Sequence, residues 1–149
     1  MNKPIRKEEL LFFFRQVDGD FPIPLSLKQD LDAYAEKLLA HGTLCAQRSG
    51  DDGCILALAA GYTDHAVDDL GYLSMVATWK EARGRGYASR LVTQFLDIAR
   101  TRGLRGVHLY AVASNEPAVH MYRKLGFTDY HPQNEPRPDD LHLIYYFMR

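Results

Sequence analysis

Residues 86–101 carry the pattern that most restricts the fold. Leu91, Val92, Phe95, Ile98 and Ala99 recur at helical spacing and mark one apolar stripe. The stretch before them, Leu70–Thr78, reads as a long strand. Beyond the stop at Gly103, Val107–Val112 reads as another. A helix with one apolar face must bury it, and strands on either side of it in the chain offer a sheet face for that purpose.

The remaining segments extend the same arrangement. Residues 5–16 read as a short helix carrying Leu10, Phe13 and Phe14, with the triple Phe12-Phe13-Phe14 taken as core packing. Gly19, Pro22 and Pro24 break the chain into a loop. Ser26 is positioned to cap a helix running to about Ala40, with Leu27, Leu31, Tyr34, Leu38 and Leu39 on its apolar face and Gly42 as its stop. Thr43–Gln47 and Cys54–Tyr62 form a hairpin around Ser49-Gly50-Asp51-Asp52-Gly53. Asn115 is placed to cap a helix reaching Leu125, with Pro117 tolerated in its first turn. Phe127–Tyr130 and Leu141–Met148 close the chain as strands. The order is two helices, three strands, helix, strand, helix, two strands. It predicts an α/β fold, a mixed sheet with helices on both faces, as a single domain over residues 1–149.

Composition excludes several classes. A length of 149 residues suffices for one domain with a proper core. No apolar run approaches the ~20 residues of a membrane span. The start, MNKPIRKEELL, has no signal-peptide core, so a cytoplasmic location is expected. Cys45 and Cys54 lack metal-ligand spacing and read as a reduced pair of small core residues; no metal is expected. A net charge of −1 argues against bulk nucleic-acid binding, but the charges are unevenly spread. Asp18–Leu70 holds ten acidic and three basic residues, while Lys80–Arg105 holds seven basic and two acidic ones. A basic second half suits a phosphate-bearing ligand and an acidic first half a cationic or zwitterionic one.

Arg83-Gly84-Arg85-Gly86-Tyr87-Ala88 lies between a strand and a helix. A helix start presents backbone N–H groups and the positive end of the helix dipole. Gly84 and Gly86 permit close approach and turn dihedrals that suit glycine, and Arg83 and Arg85 add charge. The chemistry suits a polyphosphate. It is not a P-loop, because Tyr87 and Ala88 follow Gly86 in place of Lys-Ser/Thr. It is a poor dinucleotide fingerprint, because Ser89 stands at the third glycine and no acidic residue lies between Asp97 and Glu116.

Arg83-x-x-Gly86-x-Ala88 resembles the pyrophosphate-binding signature of the GNAT superfamily of acetyltransferases, Arg/Gln-x-x-Gly-x-Gly/Ala. Downstream, Asn115-x-x-Ala118, Tyr122 and Gly126-Phe127 are similar to that family's second signature. The resemblance covers roughly Leu70–Phe127. The family's Val-x-Pro before the glycine loop is replaced here by Thr78-Trp79-Lys80.

The resemblance implies an acetyl-CoA-dependent N-acetyltransferase. Main-chain N–H groups of Arg83, Gly84, Arg85, Gly86, Tyr87 and Ala88 would hold the CoA pyrophosphate. The pantetheine arm would lie between splayed parallel strands, Leu70–Thr78 and Val107–Val112. Val76, Ala77 and Thr78 would orient the thioester carbonyl, Asn115 would contact the arm, and Tyr122 would stand near the sulfur as the catalytic acid. With tyrosine near ~10 and thiols near ~8.5, a phenol stays protonated and can donate to the departing thiolate, so neither cysteine is needed as a nucleophile. The amine's proton would leave toward the start of the third strand, near Asp69, Tyr72 and Ser74, with Ser74 sharing strand parity with Val76. His120, two residues before Tyr122, falls on another helix face and reads as structural or solvent-exposed, and His41 and His108 show no partner in the sequence. The acceptor would enter over the N-terminal helices, past Asp18, Asp20 and Phe21-Pro22-Ile23-Pro24. A small-molecule amine is expected, with protein amines also open. Alternatives are a longer acyl-CoA, or a CoA-binding sensor or interaction module with weak chemistry. A homodimer pairing through Leu141–Met148 as an edge strand is a further expectation.

Overall fold

The computed structural model describes residues 4–21, 24–64 and 69–147, apart from the side chain of Lys28. Its elements run α1 (Lys7–Val17), a 3-10 turn (Asp18–Asp20), α2 (Leu25–Lys28), α3 (Leu31–His41), β1 (Thr43–Arg48), β2 (Ile55–Tyr62) and β3 (Leu70–Thr78). A second 3-10 turn (Lys80–Ala82) leads into α4 (Tyr87–Thr101), β4 (Gly106–Ala111), α5 (Glu116–Leu125), β5 (Thr128–Asp129) and β6 (Leu141–Tyr146). This is the mixed α/β architecture that the pattern of periods predicts.

The six strands form one sheet in the order β1-β2-β3-β4-β6-β5. Among the described strands only β3 and β4 pair in parallel, as expected of strands joined through a helix. One core packs α4 and α5 against one face, through Leu91, Val92, Phe95, Leu109 and Phe127. The other packs α1, α2 and α3 through Leu10, Phe13, Phe14, Tyr34 and Leu38. Of the three consecutive phenylalanines, Phe13 and Phe14 are buried while Phe12 is exposed.

The structure corrects four expectations. The single helix expected from Ser26 to Ala40 is two: the chain breaks at Gln29, whose backbone is extended, and Asp30 caps α3 through the Asp32 N–H at 3.0 Å. Ser26 is no cap; its N–H and hydroxyl both donate to the Asp18 carboxylate, each at 2.7 Å. Cys45 is buried but Cys54 is exposed, because it belongs to the hairpin turn and not to β2. Leu141–Tyr146 is no edge strand: it lies between β4 and β5, its pairing with β4 running its full length. Met148 is outside the described residues.

A charged clamp joins the N-terminal helix to the sheet. Arg48 on β1 donates from Nη1 and Nη2 to the two carboxylate oxygens of Glu9, at 2.8 and 3.1 Å. The Glu9 carboxylate also accepts the Arg6 N–H at the start of α1. These bonds, led by Arg48, hold the Glu9 carboxyl down at about 2.

Candidate active site

The site begins where two strands part. β3 and β4 pair only over Leu70–Tyr72 and Gly106–His108. Beyond that point β3 stays with β2 while β4 stays with β6. The register of β3 against β2 also shifts here: Gly61 pairs with Leu73 but Ala60 pairs with Met75, which leaves Ser74 as an extra residue. The bulge undoes the expected parity. Ser74 faces the α1–α3 layer, its hydroxyl 2.5 Å from that of Tyr34, while Val76 packs on the α4 side. Trp79 N–H bonds to Leu56 O on β2, so alternation points the N–H groups of Val76 and Thr78 the other way, into the widening gap.

The glycine loop lies at the end of this gap. Gly84 and Gly86 have φ of +82° and +75°, and a Cβ added at either meets no protein atom within 4 Å. The open space lies where a ligand would approach the main chain. Gly86 is the N-cap of α4 and offers no side chain, so the first N–H groups of the helix face outward without a cap. Arg83 is held across this loop, with Nη2 3.0 Å from Asp20 and Nε donating to Thr78 O at 3.3 Å. These features fit a polyphosphate: an open cradle, uncapped N–H groups and two arginines.

Every residue singled out from the sequence as cofactor-binding or catalytic lines one cavity of about 570 Å³: Val76, Ala77, Thr78, Arg83, Gly84, Arg85, Gly86, Tyr87, Ala88, Asn115 and Tyr122. Asn115 occupies the N-cap position of α5 but its side chain makes no capping bond. Tyr122 packs edge-on against Phe127, with ring centroids 5.6 Å apart, and burial pushes its phenol well above the usual range. Its hydroxyl makes no hydrogen bond among the described residues. Asp20 and Phe21 also line this cavity, whereas Asp18 is engaged with Ser26. Pro22 and Ile23, the middle of the expected entry loop, are outside the described residues.

A second cavity, of about 460 Å³, lies on the α3 side and is lined by Tyr34, Lys37, Tyr62, Tyr72, Ser74 and Arg137 together with Leu25, Gln29, Asp30 and Ala33. A narrow third one, of about 110 Å³, shares Leu25 and Ser74 with the second and Phe21, Val76, Asn115, Ala118 and Tyr122 with the first. The third space therefore borders both of the larger ones, beside the parted strands. Burial raises the Tyr72 phenol, and Arg137 pulls it partly back.

Sequence patterns did not reveal a part-buried polar chain beside Tyr72. His108 Nδ1 and His142 Nε2 are 2.7 Å apart, and His142 Nδ1 is 2.6 Å from Glu135 Oε2. Tyr110 donates to Glu135 Oε1 at 3.0 Å, and its phenol is pushed up to about 12, first by desolvation and then by that carboxylate. His108 and His142 alternate with apolar residues on neighbouring strands, a pattern that is silent on which strands pair. His41 and His120 are exposed and line none of these cavities.

A model described as the acetyltransferase (GNAT) family matches residues 8–127. The chain belongs to that family. Its GNAT fold has the architecture of an acetyltransferase of the same family from Staphylococcus aureus, with a TM-score of 0.76 at 16% identity over 94% of this chain and 92% of that one. Among curated relatives, N-alpha-acetyltransferase 30 of Schizosaccharomyces pombe is 40% identical over 60 residues, covering 40% of each chain. A mycothiol acetyltransferase of Actinosynnema mirum is 34% identical over 77 residues, covering 52% of this GNAT chain and 26% of that protein. The matches thus span less than half the length of these relatives. GNAT membership makes acetyl-CoA the expected co-substrate. No described helix is long and apolar enough to cross a membrane.

Proposed function

We propose that this chain, as one domain over residues 1–149, transfers the acetyl group of acetyl-CoA to a primary amine of a small molecule by direct attack. The observation that carries the reading is the narrow space between the two large cavities, which shares Val76, Asn115 and Tyr122 with the first and Leu25 and Ser74 with the second. One cavity offers phosphate chemistry and the other is walled by tyrosines, as two substrates meeting at one bond require.

Each residue then has a part. N–H groups of Arg83 to Ala88 bind the pyrophosphate, and Asn115 holds the pantetheine arm. The N–H groups of Val76 and Thr78, left without a strand partner on that side, stabilise the developing oxyanion. The amine, whose ammonium has a pKa near ~10.4, must lose a proton before it attacks. Attack by the neutral amine forms the carbon–nitrogen bond and the oxyanion. As that collapses the carbon–sulfur bond breaks, Tyr122, kept neutral by burial, donates its hydroxyl proton to sulfur, and a proton from the acylated nitrogen restores the phenol. The exposed free thiol of Cys54 favours a reducing compartment, which supports a cytoplasmic location. One relative is named for N-alpha acetylation and the other for mycothiol; a volume of about 460 Å³ favours the smaller kind of acceptor.

Incubating the protein with acetyl-CoA and a broad panel of amines, while following free thiol, tests the reading. Amine-dependent thiol release is expected, with longer acyl-CoAs competing poorly. CoA binding without release by any amine would leave only a CoA-binding module.

A further inference from the structure

Lys37 and Arg137 come from α3 and from the segment before β6, a hundred residues apart in sequence, yet both line the second cavity. Each is held over a tyrosine ring: Lys37 Nζ lies 5.2 Å from the centroid of Tyr62, and Arg137 Cζ lies 4.7 Å from that of Tyr110. Such contacts orient a cation and leave its outer face available. Several other cations are paired with acids: Lys7 with Asp32 and Glu36, Arg48 with Glu9, Arg83 with Asp20, Arg123 with Asp129. Among the described residues neither Lys37 nor Arg137 has such a partner.

Among the described residues the lining contains one carboxylate, Asp30, and its Oδ1 already accepts the Asp32 N–H that starts α3. Asp64 and Asp140 act on Tyr62 and Tyr72 from outside the lining. Of the acidic excess in the first half of the sequence, Asp30 lines this space and Asp64 acts on its wall at Tyr62. Asp18, Asp20, Asp32 and Glu36 are engaged with Ser26, Arg83 and Lys7. Among the described residues the lining presents two cations held over rings and one acid already engaged in a cap.

We propose that the acceptor is a small amine bearing an anionic group, carboxylate or phosphate, which docks between Lys37 and Arg137 while its amine points to Ser74 and the thioester. This deepens the acetyl-transfer reading and rests on it. The cavity shares Leu25 and Ser74 with the narrow space beside the CoA groove, so the amine is placed there and the anion at the two cations. The planar fork of Arg137 suits either anion. Arg137 and Tyr72 share the wall of this cavity.

Matched pairs separate charge from shape. The amine panel consists of amino acids and their amides, and of aminoalkyl phosphates with the corresponding amino alcohols. The expected result is a KM at least about tenfold lower for the anionic member of a pair, a ratio that Arg137→Gln collapses and Lys37→Gln reduces. Whether carboxylates or phosphates lead identifies the anion. Added salt should weaken the anionic member selectively. Calorimetric titration of the best anionic amine into the CoA complex reads the pocket without turnover. Binding that depends on Arg137 but is followed by no acetylation would uphold the pocket and overturn acetyl transfer. Equal KM within the pairs, equal losses on both members in Arg137→Gln, or preference for a peptide amine without an anion would overturn the proposal while leaving acetyl transfer standing.

Discussion

Gly86→Val separates ligand chemistry from folding, because Gly103 supplies a matched control. Gly86 has φ of +75° and Gly103 has φ of +85°, and an added Cβ meets no protein atom within 4 Å at either. Valine at either position therefore introduces backbone strain and no clash, about 1–3 kcal/mol. For a chain of this size that lowers Tm by roughly 2–12 °C. Set against the ~5–15 kcal/mol typical of a domain, both variants should stay folded. Their effects on CoA should differ completely. Gly103 follows α4 at its far end, roughly 25 Å from Gly86 at 1.5 Å per residue. At Gly86 a branched side chain has only the cavity to enter, where it holds the pyrophosphate off the uncapped N–H groups. Losing two charge-assisted hydrogen bonds at about 1.5–3 kcal/mol each lowers affinity by on the order of 10²–10⁴-fold. Calorimetric titration with CoA, alongside a thermal melt of each variant, gives both numbers. If folded Gly86→Val binds CoA as tightly as Gly103→Val does, the phosphate cradle is not where the glycines are.

Tyr122→Phe keeps the edge-on packing with Phe127 and removes one oxygen, so CoA affinity should hold while single-turnover acetyl transfer slows by roughly 10²–10⁴-fold, or nearer tenfold if water supplies the proton. A wild-type rate in the folded variant returns Tyr122 to a packing role. The Glu9 carboxyl lies at about 2 against an ordinary 4.5, so its contribution is full above pH 4.5 and is lost as the pH falls toward 2. Glu9→Gln should therefore cost ~1–2 kcal/mol at neutral pH, discounted for the partial exposure of the pair, and flatten the acid limb of a plot of Tm against pH. An unchanged acid limb means that the clamp does not hold α1 to the sheet.

Elements whose bonds close within a few residues are legible in the sequence. The stripe on α4, the length of β3, the glycine loop and the Pro117 start of α5 depend on local periods and turn chemistry, and the second GNAT signature marks Asn115 and Tyr122 by spacing alone. The break between α2 and α3 escapes because an apolar period of 3.6 continues across it; Ser26 turning back to Asp18 and Asp30 capping afresh are what divide it. The side of Ser74 escapes for a related reason: a single bulge in β3 reverses the parity that alternation assumes.

Sheet order decides the rest. Sequence alone sets the βαβ unit of β3, α4 and β4 and the chemistry of the loop within it, because a strand, a glycine turn and an amphipathic helix leave little choice of geometry. It took tertiary packing to bring Tyr34, Lys37, Tyr72 and Arg137 around one cavity, and Glu135, His142 and His108 into one chain of contacts. Those partners lie on separate elements, and which of them meet depends on β6 inserting between β4 and β5 and on β3 and β4 parting beyond Tyr72. Pairings of that kind are set by the packing of whole layers, and no local period in the chain encodes them.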